Sequence, residues 1–216
     1  MDKFLSFSGL YEKGTLPMKL YDRETSGNSY KVRLLLSFLE VPYEKISIPL
    51  IDGRNQVTSD YLQLNPRGQI PTLQDGDVVV WGSTAILCYI ASKYDESRSW
   101  LPAAPEGFSQ VVQWLELAQN EIQSGLFLAR AVKRFGYAGD LGAAQHSAAR
   151  ALGILDSRLK GTAWLAGSRP TVADIACFPY TALAAEGGVD TSTYKGVRRW
   201  LAAFMDLERF IAMPGM

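Results

Sequence analysis

The hydrophobic period of this chain changes once, between residues 94 and 108, and that change restricts the fold more than any other feature. Before it, short alternating runs take turns with helical patterns. Met18–Asp22 reads as a strand and Arg23–Asn28 as a turn-rich stretch; Ser29–Glu40 places Val32, Leu35, Leu36 and Leu39 on one helical face. Val41-Pro42 ends that helix, because a residue before proline avoids the α region. Tyr43–Ile48 alternates as a second strand, which completes a βαβ unit of right-handed, parallel connection. A polar loop (Pro49–Val57), a short helix (Thr58–Leu64) and the turn signal Asn65-Pro66-Arg67-Gly68 follow. Pro71–Gln74 and Val78–Trp81 flank Asp75-Gly76-Asp77 as a hairpin, and Ser83–Tyr94 closes the unit as a helix.

Beyond residue 94 the pattern is helical throughout. Asp95–Gly107 has the composition of a linker, and Phe108–Phe135 carries Val111, Leu115, Ala118, Ile122 and Leu126 on one face of a single long helix. Asp140–Lys160, Thr171–Glu186 and Tyr194–Ala212 supply further helices, and Thr171-Val172-Ala173-Asp174 has the form of a capping box. The reading is an extension (1–17), a four-stranded α/β domain (18–94), a linker (95–107) and an all-α domain (108–216).

Composition narrows function. The 216 residues hold 22 Lys+Arg against 22 Asp+Glu, so the net charge is zero, which argues against a nucleic-acid partner. Cys88, Cys177 and His146 cannot make a four-ligand zinc site without carboxylates, and no metal is expected. A serine or cysteine nucleophile with an imidazole base would have to run through His146 alone, which falls in an Ala-rich polar helix. Two widely spaced cysteines on apolar helices read as inert buried thiols and suit a reducing, cytoplasmic setting. No run of about 18 apolar residues is present for a membrane span, and the first residues lack the apolar core of a signal peptide.

Five motifs in order resemble the glutathione transferase family. They are Ser26-Gly27-Asn28-Ser29-Tyr30-Lys31-Val32-Arg33, Asn65-Pro66-Arg67-Gly68-Gln69-Ile70-Pro71-Thr72-Leu73, Ser83-Thr84-Ala85-Ile86, Thr171-Val172-Ala173-Asp174-Ile175-Ala176 and Met213-Pro214-Gly215. The resemblance implies a thioredoxin-like α/β domain that binds glutathione as cosubstrate, an all-α domain that shapes the pocket for a small electrophile, and a homodimer.

It also implies roles for residues that pattern alone leaves open. Ser26 is by pattern a helix N-cap or turn residue; the resemblance makes it the catalytic serine, whose hydroxyl stabilises the thiolate of bound glutathione at a helix N-terminus. Asn28 stands in the same motif, in the glutathione site. Ser29 more naturally serves its helix, and Tyr21 the core; Asp22 occupies the slot of the hydroxyl in tyrosine-type relatives. Base rates make Ile70-Pro71 trans, whereas the resemblance implies cis, with the Ile70 backbone facing the cysteinyl unit and Gln69 beside the glycyl end. Ser83 is by pattern an N-cap; by resemblance it holds the γ-glutamyl carboxylate. The preceding position usually carries Glu or Gln in the family, and here it is Gly82. Arg54, with Asn55 and Gln56, stands where relatives meet the glycyl carboxylate. Trp114, Phe127, Arg130, Phe135 and Tyr137 are either pocket lining or plain core, and Asp174 is a structural cap.

The leading function is conjugation of the glutathione thiolate to small hydrophobic electrophiles, a detoxification chemistry. Glutathione-dependent isomerisation, dehalogenation or peroxide reduction keeps the cosubstrate and changes the reaction. A binding module without catalysis is the third reading, favoured by Gly82.

Overall fold

A computed structural model describes the backbone of residues 18–51, 54–55 and 58–216, with no side chain described between 50 and 57; the extension before residue 18 lies outside the described residues. The first half follows in order as β1 (Lys19–Asp22), α1 (Gly27–Phe38), β2 (Glu44–Ser47), β3 (Leu50–Ile51), β4 (Arg54–Asn55), α2 (Ser59–Leu64), β5 (Thr72–Asp75), β6 (Val78–Trp81) and α3 (Ser83–Tyr94). The main sheet has the order β2-β1-β5-β6. β1 and β2 are parallel with Leu20 opposite Lys45, while β5 runs antiparallel to both β1 and β6. This is the mixed sheet of a thioredoxin-like domain. β3 and β4 form a separate two-stranded ladder inside the stretch read as an irregular polar loop.

The second half is all helical: α4 (Pro105–Gln119), a π-helical segment (Gln123–Phe127), α5 (Leu128–Phe135), α6 (Leu141–Leu159), α7 (Val172–Ala182), a 3-10 turn (Ala184–Gly187) and α8 (Lys195–Met205). Several boundaries differ from the sequence reading: α1 spans Gly27–Phe38 rather than Ser29–Glu40, α7 ends at Ala182 rather than Glu186, and three others have a visible cause. α4 begins inside the expected linker, with Pro105 in the first turn where its missing N–H costs nothing. The expected long helix is interrupted at Asn120, whose φ and ψ of −104° and −85° leave the helical region, and continues through the π-helical segment. A Cβ on Gly125 would lie 2.5 Å from the Ala148 backbone nitrogen, so the chain bends where α6 crosses it at backbone contact. Finally, α8 stops at Met205 although Leu207 and Phe210 still pack on the core; Arg209 takes a left-handed φ of 66° that turns the chain back.

α7 is the hub. Each residue from Val172 to Thr181 is buried, and α1, α3 and α4 all pack against it. Phe178 stacks on Phe204 at 4.3 Å and meets Trp200 and Phe210 edge-on. The capping box is complete: Thr171 Oγ1 accepts from the Ala173 N–H, and Asp174 accepts from the Thr171 N–H at 2.9 Å. Asp174 also accepts from the Leu165 N–H and the Trp200 indole N–H, each at 3.0 Å, so one carboxylate ties α7 to α8 and to the loop before α7. With α1 and α3 seated on this hub, their N-termini come to the same edge of the molecule, facing the π-helical segment.

Candidate active site

The turn leading into α1 is held by a buried ion pair. Asp22, at the end of β1, has no exposed surface, and Arg33 of α1 reaches both its oxygens at 2.6 Å. The same guanidinium donates to the Glu24 carbonyl at 2.9 Å, which pins the turn 23–25 against the helix it precedes. Ser26 follows as the N-cap: its Oγ accepts from the Ser29 N–H at 3.2 Å. A hydroxyl used as acceptor keeps its own proton to donate, and Ser26 lines a cavity. Ser29 is fully buried and does not line it. Tyr21 packs its ring on Tyr61 and donates to Gln74, also away from the cavity.

Gly27 is required by what lies above it. A Cβ there would come within 2.5 Å of the Tyr180 ring, so only glycine lets α7 close on the start of α1. Tyr180 is buried on the cavity wall, and its hydroxyl takes a hydrogen bond from the Asn28 N–H. Burial raises this phenol well above its ordinary range, so it stays protonated and retains a proton to donate.

The second element is the loop before β5. Asn65 Nδ2 donates to the Gln69 carbonyl at 2.7 Å and to Thr72 Oγ1 at 3.0 Å, while Tyr61 donates to the same carbonyl at 2.6 Å. These bonds hold Gln69, Ile70 and Pro71 at the cavity, and the Ile70-Pro71 bond is cis. The third element is the start of α3. Here Gly82, not Ser83, occupies the N-cap position, with φ of 89° and no side-chain cap. Ser83 is the first helical residue and donates to Asn28 Oδ1 at 3.4 Å. The amides of this helix start are therefore left without a capping side chain, an arrangement that suits an anion.

Two joined cavities result, of about 280 and 190 Å3. Ser26 opens on the first, Pro71, Gly82 and Ser83 on the second, and Asn28, Gln69 and Ile70 line both. Arg54 lies in β4 with its side chain outside the described residues, and Gln56 lies outside them altogether. Phe127, Arg130, Phe135 and Tyr137 line the first cavity, whereas Trp114 packs in the core between α4 and α7. Arg23, Arg67, Gln123 and Tyr180 are lining residues that sequence reasoning missed. The π-helical segment is the one local signal, since such turns gather at functional sites, but it arises from the contact with α6. Among the described residues no carboxylate side chain lines either cavity, and three arginines do. The electrostatics suit a ligand of net negative charge.

Comparison with known proteins decides the family. The model of the glutathione S-transferase N-terminal domain matches residues 16–92, and that of the C-terminal domain matches residues 126–208. The chain belongs to the glutathione transferase family. It is 30% identical over 190 residues to glutathione S-transferase GstB of Escherichia coli K12, covering 84% of this chain and 89% of that one. Glutathione S-transferase 3 of Zea mays is 32% identical over 73% of this chain and 74% of its own. Among solved structures, a glutathione S-transferase from Pseudomonas fluorescens superimposes with a TM-score of 0.85 at 31% identity, over 92% of this chain and all of the other. The transferase is an enzyme whose family uses glutathione as cosubstrate. Among the described residues no helix is long and apolar enough to cross a membrane, and no cluster of three metal-ligating side chains occurs.

Proposed function

We propose that the enzyme conjugates glutathione to a small electrophile, with the tripeptide lying along the second cavity and its sulfur at Ser26. One observation carries this reading: the Ser26 hydroxyl caps α1 as an acceptor, lines the first cavity and retains a proton to donate. A thiolate placed there receives that proton as a hydrogen bond and sits at the positive end of a twelve-residue helix. The thiol pKa falls, and the thiolate attacks the acceptor carbon. Serine acts as neither base nor nucleophile; the protein supplies positioning and electrostatic stabilisation.

The uncapped start of α3, with Ser83 and Asn28 beside it, receives the γ-glutamyl carboxylate. Gln69 and the backbone of Ile70 border the tripeptide on the β5 side. Arg54 remains the cation proposed for the glycyl carboxylate. The cavities were built with Gly82 in place of a longer polar residue, so the γ-glutamyl ammonium lacks that contact. Domains at 18–94 and 108–216, a homodimer, a cytoplasmic setting and a detoxifying role complete the proposal. The free thiols Cys88 and Cys177 agree with a reducing compartment, and burial pushes both up, so neither competes with glutathione as nucleophile.

The test begins with binding. Millimolar glutathione should quench or shift the emission of Trp81, which adjoins the second cavity, and should protect the enzyme against unfolding. Thiol consumption with an aryl halide, an epoxide and a peroxide then distinguishes conjugation from peroxide reduction. Absence of both binding signals sinks the enzymatic reading in favour of a binding module.

A further inference from the structure

We infer that the acceptor half of the site is built for a small electrophile bearing a carboxylate, held by Arg130 with Arg23 on the same cavity wall. This rests on the glutathione transfer proposed above and names the class of its second substrate.

Arg130 is 3% exposed and lines the same cavity as Ser26. Its guanidinium is fixed on three sides: Nε donates to the Glu186 carboxylate, Nη1 donates to the Thr25 carbonyl at 3.1 Å, and the group lies 5.0 Å from the centre of the Phe135 ring. Nη2 is buried and has no hydrogen-bond partner among the described residues. A buried charged donor left unpaired is costly, and the planar fork of a guanidinium is matched to a carboxylate. Glu186 does not discharge the cluster, because Arg134 shares it at 3.2 Å. Arg23 adds a further cation on the cavity wall, which bears no carboxylate among the described residues. Phe127 and Ala131 supply an apolar flank fitted to a short carbon chain.

A cation here has a chemical purpose. The site must bring an anionic acceptor beside a thiolate, and the two repel. Arg130 offsets that repulsion and gives the carboxylated acceptor an advantage that a neutral analogue lacks. For a 2-halocarboxylate the step is a displacement: the thiolate sulfur bonds the carbon next to the carboxylate as the carbon–halogen bond breaks. The halide leaves with the bonding electrons, and the thiol proton has already gone to solvent.

The experiment compares chloroacetate with chloroacetamide, which share the reacting carbon and differ in charge, each rate being divided by its uncatalysed rate with glutathione. The inference expects an acceleration at least tenfold greater for chloroacetate, and a ratio at least tenfold smaller in Arg130→Met. Arg130→Lys, which keeps the charge beside Glu186 and loses the fork, should give an intermediate ratio. Because Arg130→Met removes a buried partner of Glu186 and can fail to fold, the wild-type enzyme is also inhibited in parallel by propionate and propionamide. Propionate should compete with the acceptor at a concentration at least tenfold lower. Equal acceleration of both acceptors, or equal inhibition by both analogues, overturns the inference and leaves the transferase reading intact. Failure to accelerate either acceptor or an aryl halide, despite bound glutathione, overturns both.

Discussion

Among the described residues α1, α2 and α7 each begin on a serine or threonine cap, and the caps of α1 and α7 have opposite surroundings. At α7, Thr171 and Asp174 satisfy one another's backbone groups, and the carboxylate spends its remaining capacity on Leu165 and Trp200, all of it buried. At α1, Ser26 accepts one N–H and keeps a proton, and the cap opens on a cavity. The residue types and the local geometry are nearly the same. What separates a structural cap from a chemical one is whether the helix start has been closed by other elements. α7 is closed by α8 and the loop before it; at the start of α1 Tyr180 closes only over Gly27, and Ser26 stays on the cavity wall.

The largest expected effect lies on the closed side. Asp174→Asn replaces an acceptor of four donated hydrogen bonds with an amide that cannot accept them all, and should lower stability by about 3–5 kcal/mol. Urea unfolding measures this; a loss near 1 kcal/mol would show that α8 does not depend on the cap. On the open side, Ser26→Ala should cost about 1 kcal/mol of stability but lower turnover on the order of 100-fold. Ser29→Ala and Thr171→Ala should leave turnover per folded enzyme close to wild type. Equal kinetic losses in Ser26→Ala and Ser29→Ala would remove the distinction.

Lys31 lies between the two helices and tests their contact. It is fully buried, its Nζ has no hydrogen-bond partner among the described residues, and it sits 5.3 Å from the centre of the Tyr180 ring. Burial lowers its pKa to about 8 from an ordinary 10.5, the nearby Cys177 opposing the shift. The unfolded chain therefore binds more protons than the folded one between these values. Stability penalised below pH 8 should recover as pH rises through that window. Lys31→Met should stabilise the protein by about 1–3 kcal/mol at pH 7 and remove the slope between pH 8 and 9.5. An unchanged slope in the variant rules Lys31 out as its source.

The smallest effect concerns the third helix start. Gly82 has a φ of 89°, and a Cβ there meets nothing within 4 Å, so a side chain is strained but not obstructed. Gly82→Gln should cost about 1 kcal/mol and lower the KM for glutathione several-fold, since it restores a polar group beside Ser83. An unaltered KM would show that the tripeptide does not approach this residue.

Much of this was legible in one dimension. α3 spans the same residues in pattern and structure, because Ile86, Leu87 and Ile90 recur at helical spacing and Trp81-Gly82 breaks the strand before it. The capping box at Thr171 was equally plain, since it is a local exchange of hydrogen bonds. Cys88 was read as buried and is only half-buried, while His146 is exposed as its helix suggested. The interruption of the helix after Asn120 was invisible, for its apolar stripe continues through Val111, Leu115, Ala118 and Ile122 without a break.

The sequence by itself determined the division into α/β and helical halves and the polar caps of α1 and α7, since periodicity and capping are properties of neighbouring residues. Tertiary structure alone decided which caps face solvent-sized space. Gly125 against Ala148 bends the wall, Tyr180 over Gly27 sets the roof, and Arg130 is turned inward by Glu186 and Thr25. These are contacts between residues 23 to 153 positions apart, and no local period encodes them.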